Sequence, residues 1–341
     1  MIREALLYEK LDGGKVHCNL CAHRCRINPG RSGICGVREN REGVLYSLVY
    51  GTLIAENLDP IEKKPFFHVY PASQSYSIAT VGCNFRCDFC QNHDISQMPA
   101  ATRMIAGEDF LPREIVTKAK QSRARTIAYT YTEPTVYFEL ALDTATIAVE
   151  NGLQNVFVTN GFMTVETIEK IAPYLTAANV DLKSFRDEFY NKYCGARLNP
   201  VLESLQTMKK KGIWVEITTL LIPGLNDSDE ELKDIARFIA GLGRETPWHI
   251  SRFHPQYKMR NRPVTPLDAL HRAVQIGRET GLKYVYSGNV PGDDGENTRC
   301  FHCGKLLIER YGFRVGSMNL QGKKCSHCGT ELEGVFTETH V

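Results

Sequence analysis

Between about residues 76 and 288, short runs of β-branched and aromatic residues alternate with amphipathic stretches. No other feature restricts the fold so tightly, because strand–helix–strand repetition builds βα units around a parallel sheet. The runs are Tyr76 to Val81, Thr126 to Tyr131, Asn155 to Thr159, Asn179 to Leu182, Val215 to Ile222, His249 to Phe253 and Tyr284 to Tyr286, which predicts six or seven strands. Helix starts fall between them. Asp227-Ser228-Asp229-Glu230-Glu231 reads as a capping box, and Thr265-Pro266-Leu267-Asp268 as a cap followed by a proline in the first turn. Periodicity alone does not separate an open doubly wound sheet from a barrel.

The chemistry lies in the cysteines. Twelve thiols in 341 residues fall in clusters: Cys18, Cys21, Cys25 and Cys35; Cys83, Cys87 and Cys90; Cys194 alone; Cys300, Cys303, Cys325 and Cys328. The N-terminal sequence Met1-Ile2-Arg3-Glu4-Ala5 lacks an apolar signal core, and no stretch approaches the ~20 apolar residues of a membrane span. The expected location is therefore the cytoplasm, where clustered cysteines bind metals more often than they pair. With 41 basic and 39 acidic residues the net charge is +2, which gives no electrostatic footprint for nucleic acid or an anionic membrane.

Cys83, Cys87 and Cys90 make a CxxxCxxC spacing with Phe89 before the last thiol. Each of the four irons of a 4Fe-4S cluster wants a ligand, so three thiolates leave one iron open to a small molecule. The competing reading is a structural zinc site closed by His93, since structural zinc takes four ligands. Cys300-x2-Cys303 and Cys325-x2-Cys328 are two CxxC knuckles, the spacing of a zinc ribbon, with a rubredoxin-like iron as the alternative and His302 and His327 as bystanders. Cys18-x2-Cys21-x3-Cys25-x9-Cys35 suits structural zinc or an auxiliary cluster, and His23 is a possible substitute ligand. The lone Cys194 reads as a small buried apolar side chain.

The CxxxCxxC loop with its penultimate aromatic resembles the signature of the radical S-adenosylmethionine (SAM) superfamily. That resemblance implies a partial (β/α)6 barrel over residues 71–292, with a cysteine-rich extension over 1–70 and a zinc-ribbon-like segment over 293–341. It implies cofactors at the C-terminal strand ends, SAM on the open iron, and Phe89 near the adenine. It also implies reduction by a flavodoxin- or ferredoxin-type donor.

Other strand ends resemble the glycyl-radical activating enzymes of that superfamily. In Thr130-Tyr131-Thr132-Glu133-Pro134, Glu133 matches a carboxylate that receives the amino group of SAM, although Tyr131 and Thr132 stand where those enzymes usually have glycines. Thr159-Asn160-Gly161 matches a segment beside the SAM pocket; on its own, Asn-Gly is a common turn. Asp181 and Lys183 match residues facing cofactor and substrate, and their spacing puts them on one strand face. His254 matches a histidine near the adenine. Strand alternation pairs it with Arg252, which makes Lys183 and Arg252 the candidate catalytic residues and leaves His249 a structural reading.

Leu20-Cys21-Ala22-His23-Arg24-Cys25, Asp59-Pro60-Ile61-Glu62-Lys63-Lys64-Pro65 and Cys90-Gln91-Asn92, with the run His249 to His254, resemble the radical SAM enzymes of the AmmeMemoRadiSam system. Near Glu62, Lys63 and Lys64, the resemblance suggests a substrate pocket. Three functions are compatible: SAM cleavage followed by hydrogen abstraction from an unidentified small or protein substrate; activation of a glycyl radical protein; or a non-catalytic metal module with a basic face at Lys305, Arg310, Lys323 and Lys324.

Overall fold

In the computed structural model, which describes residues 1–336, eight strands form one sheet whose spatial order follows the chain. They are β1 (Ala55–Pro60), β2 (Gln74–Ala79), β3 (Thr126–Tyr129), β4 (Gln154–Thr159), β5 (Ala177–Asp181), β6 (Trp214–Leu221), β7 (Trp248–Arg252) and β8 (Val285–Gly288). All neighbours pair in parallel except β1 and β2. The connections from β2 to β8 carry α1 (Pro112–Gln121), α2 (Phe138–Glu150), α3 (Val165–Ile171), α4 (Asn199–Lys210), α5 (Asp229–Leu242) and α6 (Leu267–Glu279). The result is six βα units, with β8 as a seventh parallel strand.

Buried side chains explain this arrangement. Ile78, Ile127, Phe157, Val180, Ile217 and Ile250 are fully buried, as expected for a parallel sheet covered by helices. Ser228 caps α5 through Oγ, which accepts from the Glu231 amide at 3.3 Å. Thr265 does not cap α6 as its sequence suggests. Its hydroxyl instead donates to Leu221 O at 2.6 Å and accepts from the Phe253 amide at 2.9 Å, joining the ends of β6 and β7.

The sheet curls but does not close by strand pairing. The chain after β1 fills the gap: Phe67 packs 4.8 Å from Tyr286 and 4.7 Å from His249, and the amides of Phe67 and His68 donate to Glu216 on β6 at 3.0 and 2.9 Å. The expected partial barrel is thus sealed by residues preceding its first parallel strand.

Residues 1–53 form short antiparallel strands of two to four residues. Such strands bury little by themselves, and a buried ion pair fixes them to the barrel. Arg38 bonds both Glu139 carboxylate oxygens, at 2.9 and 3.0 Å, and Leu6 O at 2.9 Å; its side chain is 2% exposed and that of Glu139 1%. Residues 337–341 of the expected C-terminal segment lie outside the described residues. The rest of that segment contains the hairpin Leu306–Tyr311 and Arg314–Met318.

Removing one partner of a buried pair leaves the other charge uncompensated, at a cost of roughly 3–5 kcal/mol. Glu139→Gln is expected to lower stability by about 3 kcal/mol, read as a reduced urea midpoint. An unchanged midpoint would show that the N-terminal strands are held by other contacts.

Candidate active site and metal centres

A cavity of about 590 Å³ opens at the C-terminal strand ends, with Cys83, Cys87 and Cys90 on one side and Glu62, His249 and Glu296 among its other lining residues. The cysteine loop follows β2 through Gly82, at φ +100°, where a Cβ would stand 2.6 Å from the Val37 side chain. Two main-chain bonds shape the loop: Arg86 N donates to Cys194 O at 2.8 Å and Asp88 N to Tyr193 O at 2.9 Å. The Phe85 amide donates to Cys83 Sγ at 3.3 Å, and the Ser96 hydroxyl lies 3.3 Å from Cys90 Sγ.

Cys194 is buried, and the fold brings it to Cys87. Cys194 beside it, with Lys183, holds the Cys87 thiol below the usual cysteine range. Burial pushes the Cys83 and Cys90 thiols up. Cys194 is not part of the cavity lining, so three thiols, with N–H and O–H donors beside them, face the open space. That donor set fits an iron–sulfur cluster with one exposed iron. His93 does not close a zinc site: it stacks on Tyr257, ring centroids 4.2 Å apart, and does not line the cavity.

Glu133 supplies a buried anion. One carboxylate oxygen accepts from Thr135 N at 3.0 Å, Thr135 Oγ1 at 2.5 Å and Thr159 Oγ1 at 2.8 Å, and the other from Asn160 N at 2.8 Å. Burial raises its pKa against the pull of these donors. Asn160 extends the network to the cysteine loop, its side-chain amide donating to Asn84 Oδ1 at 2.8 Å. At Gly161, φ is +71° and a Cβ would lie 2.7 Å from Val180, so Asn160-Gly161 is both a tight turn and a site element.

Tyr131 accounts for the missing glycine. It adopts φ +62°, a conformation glycine takes readily, and is held there by two bonds: its hydroxyl to Asp59 at 2.5 Å and Asn92 Nδ2 to its carbonyl at 2.7 Å. Lys64 lies 4.1 Å over the Tyr131 ring and 2.7 Å from Asp59, and burial lowers its pKa to about 8.

Phe89, Asp181 and Lys183 line the same cavity, with Lys183 Nζ 2.9 Å from Asp181 and 5.7 Å from the Phe89 ring centre. Arg252 and His254 are not among its lining residues. Arg252 turns its Nε to Thr265 O at 2.9 Å, and His254 is exposed beyond the end of β7. Barrel geometry reverses the expected faces. Trp248 is buried and outside the cavity wall, whereas the polar His249 and Ser251 line the cavity with Ile250 between them. His249 Nε2 is 2.6 Å from Glu216, a buried carboxylate that His249 and His68 help hold below its usual range despite burial.

The C-terminal segment supplies part of the wall through Glu296 and Phe313. Arg310, 1% exposed, is inserted below: its Nη atoms donate to Glu296 O at 3.1 Å, Thr298 Oγ1 at 2.7 Å and Phe67 O at 2.9 Å. Arg310 is therefore absent from the basic face suggested by sequence, and Lys323 is paired with Glu331. Glu62 is buried beside the guanidinium, and its Oε2 has no hydrogen-bond partner. Neither Glu296 nor Arg310 carries a motif that marks it in the sequence; each reaches the site by tertiary packing.

The Sγ atoms of Cys300, Cys303, Cys325 and Cys328 all lie within 4.8 Å of one another, with Cys300–Cys328 at 3.7 Å and Cys303–Cys325 at 3.8 Å, so this quartet could bind a metal. His302 and His327 are exposed and outside it. Cys18, Cys21, Cys25 and Cys35 surround a separate small cavity. His23 also lines it, but its Nε2 lies 2.8 Å from Asn84 O in the loop of Cys83, Cys87 and Cys90.

An uncharacterized protein of Methanocaldococcus jannaschii is 49% identical over 338 residues, spanning 98% of this chain and 100% of the relative. A sequence model described as the Radical SAM superfamily matches residues 77–239, which include Cys83, Cys87, Cys90, Glu133 and Asn160. The chain belongs to the radical SAM superfamily. Another relative, pyruvate formate-lyase 1-activating enzyme of Escherichia coli K12, is 23% identical over 238 residues, or 69% of this chain and 88% of that protein. A radical SAM methyltransferase from Sphaerobacter thermophilus aligns with TM-score 0.49 and 20% identity, over 70% of this chain and 71% of that one. No helix among the described residues is long and apolar enough to cross a membrane.

Burial raises the Glu296 carboxyl from 4.5 to about 7. Between these values the folded state keeps a proton that the unfolded chain releases, so stability falls as pH rises through the window. Glu296→Gln should flatten this part of a melting-temperature profile; an unaltered slope would assign it to other groups.

Proposed function

We propose that this chain is an enzyme that binds SAM on a 4Fe-4S cluster held by Cys83, Cys87 and Cys90 and abstracts hydrogen from a small polar substrate. The observation that carries the reading is the shared cavity: three thiols face it, Glu133 stands beside them, and an ionisable wall lies beyond. Held by Cys83, Cys87 and Cys90, such a cluster would supply one electron for reductive cleavage of the C5'–S bond of SAM to methionine and a 5'-deoxyadenosyl radical, which would take a substrate hydrogen atom to become 5'-deoxyadenosine.

The residues do the positioning. Glu133 receives the ammonium group of SAM, an assignment supported by its burial and by the threonine and amide donors that fix its orientation. Phe89 packs against the adenine, while Thr159 and Asn160 hold the pocket edge and Asp181 orients Lys183 toward the cavity. A flavodoxin- or ferredoxin-type protein supplies the electron in the cytoplasm. Zinc is our reading for the C-terminal quartet, because a Zn–S bond of about 2.3 Å gives a tetrahedral edge of about 3.8 Å. The corresponding sulfurs lie at 3.7 and 3.8 Å.

A compact substrate is favoured over a protein loop because Glu296 and Phe313 close in on the cavity from the C-terminal segment. The relative named pyruvate formate-lyase 1-activating enzyme favours the other reading, a glycyl radical activase. That reading calls for a glycyl electron paramagnetic resonance doublet on a candidate partner.

Anaerobic protein with a reconstituted cluster, given dithionite and SAM, should yield 5'-deoxyadenosine and methionine. Cys87→Ala should reduce both to background. Failure of the native protein to form either product with its cluster intact would overturn the proposal and favour a non-catalytic metal module. Glu133→Gln should weaken SAM binding about tenfold or more, the equivalent of at least about 1.4 kcal/mol, with the cluster absorption retained. Equal affinity would remove Glu133 from SAM recognition.

A further inference from the structure

We infer that Cys18, Cys21, Cys25 and Cys35 hold a second iron–sulfur cluster, built against the back of the SAM site. The four side chains come from two turns and line one cavity with Arg38, Thr135 and Val136. The first turn is pinned by Cys18 N to Cys25 O at 2.9 Å and Arg24 N to Cys21 O at 3.0 Å. The second is pinned by Gly36 N to Gly33 O at 2.9 Å and delivers Cys35. All four cysteines are free of disulfides.

Sulfur spacing separates the metal types. Thiolates around one zinc ion crowd to about 3.8 Å, as in the C-terminal quartet. Thiolates at the outer corners of a cubane stand farther apart, because each binds a different iron. Among the described residues, the C-terminal quartet is the group whose ligand atoms all come within 4.8 Å of one another; the N-terminal four do not, and nor do Cys83, Cys87 and Cys90. Neither the N-terminal set nor the triplet is thus drawn in around a single ion as the C-terminal quartet is.

Arg38 provides an independent observation. Its Nη atoms are engaged by Glu139 and Leu6, yet its Nε is buried without a partner, in a side chain 2% exposed that forms part of the cavity wall. Buried N–H groups are rarely left unpaired. A thiolate or inorganic sulfide in the cavity would accept this bond, and such bonds help set cluster potential.

The site abuts the SAM pocket. Thr135 and Val136 follow Glu133, Cys21 bridges to Met163, and His23 contacts Asn84 O between Cys83 and Cys87. Occupancy on one side thereby orders main chain on the other.

The test uses the full-length Cys83→Ala/Cys87→Ala/Cys90→Ala variant, reconstituted anaerobically with ferrous iron and sulfide. It should retain about four irons and four sulfides per chain, with a reducible cubane signal. Retention of no iron, with zinc bound at the quartet instead, would overturn the inference. If that variant does not fold, Cys18→Ser/Cys35→Ser in the otherwise native chain serves: iron should drop from about eight to about four per chain, with the SAM-responsive signal kept. Native protein holding only about four irons, unchanged in this variant, would count against the site. Arg38→Lys keeps a cation near Glu139 but withdraws Nε–H, so it should shift the potential of the second signal alone; no shift would exclude the proposed hydrogen bond. These metal and spectral readouts need no SAM turnover, so failed SAM cleavage leaves them interpretable.

Discussion

The carboxylate of Glu133 joins three pieces of chain that would otherwise be separate strand-end loops. It takes the amide and hydroxyl of Thr135 in its own turn, then reaches the end of β4 through Thr159 and the Asn160 amide. Asn160 continues the connection to Asn84 in the cysteine loop. A buried charge unsupported by donors would be costly. Here each donor comes from the architecture that the charge helps to organise, so the cysteine loop and the buried carboxylate have fixed relative positions.

Much of this was legible along the chain. The β-branched runs located the seven parallel strands to within a few residues because a sheet buried on both faces favours continuous apolar sequence. Cysteines grouped by their sequence spacing also lie together in space, since thiols delivered by one turn are close in sequence. Glu133, Asp181 and Lys183, singled out by the resemblance, follow strands and line one cavity, because strand ends converge in a barrel.

What remained illegible depends on contacts between distant segments. Cys194 lies more than a hundred residues from Cys87 and has no spacing partner, yet a helical turn lays its carbonyl and thiol against the cysteine loop. The sequence favours Arg252 over His249 because strand alternation puts Arg252 on the face of His254. Which strand face turns inward is decided by packing: Trp248 lies against Gly277 of α6, so its neighbour His249 faces the cavity. Tyr131 showed another limit. A non-glycine residue can take a left-handed conformation when the lost freedom is offset by a hydroxyl bond and a side-chain donor to its carbonyl.

The insertion of Arg310 has an evolutionary consequence. A small hairpin beside a cysteine cluster is ordinarily a portable appendage, easily gained, lost or exchanged between proteins. Here its guanidinium reaches the backbone of Phe67, the residue that helps bridge the barrel's open edge, while the same hairpin borders the cavity at Phe313. The appendage and barrel therefore cannot drift independently: changes in the tail alter the shape and charge of the chamber, and changes at the seam remove the tail's anchor. Divergence in what this chamber accepts is then expected to record itself as paired substitutions across the seam, far from the cysteines that define the superfamily.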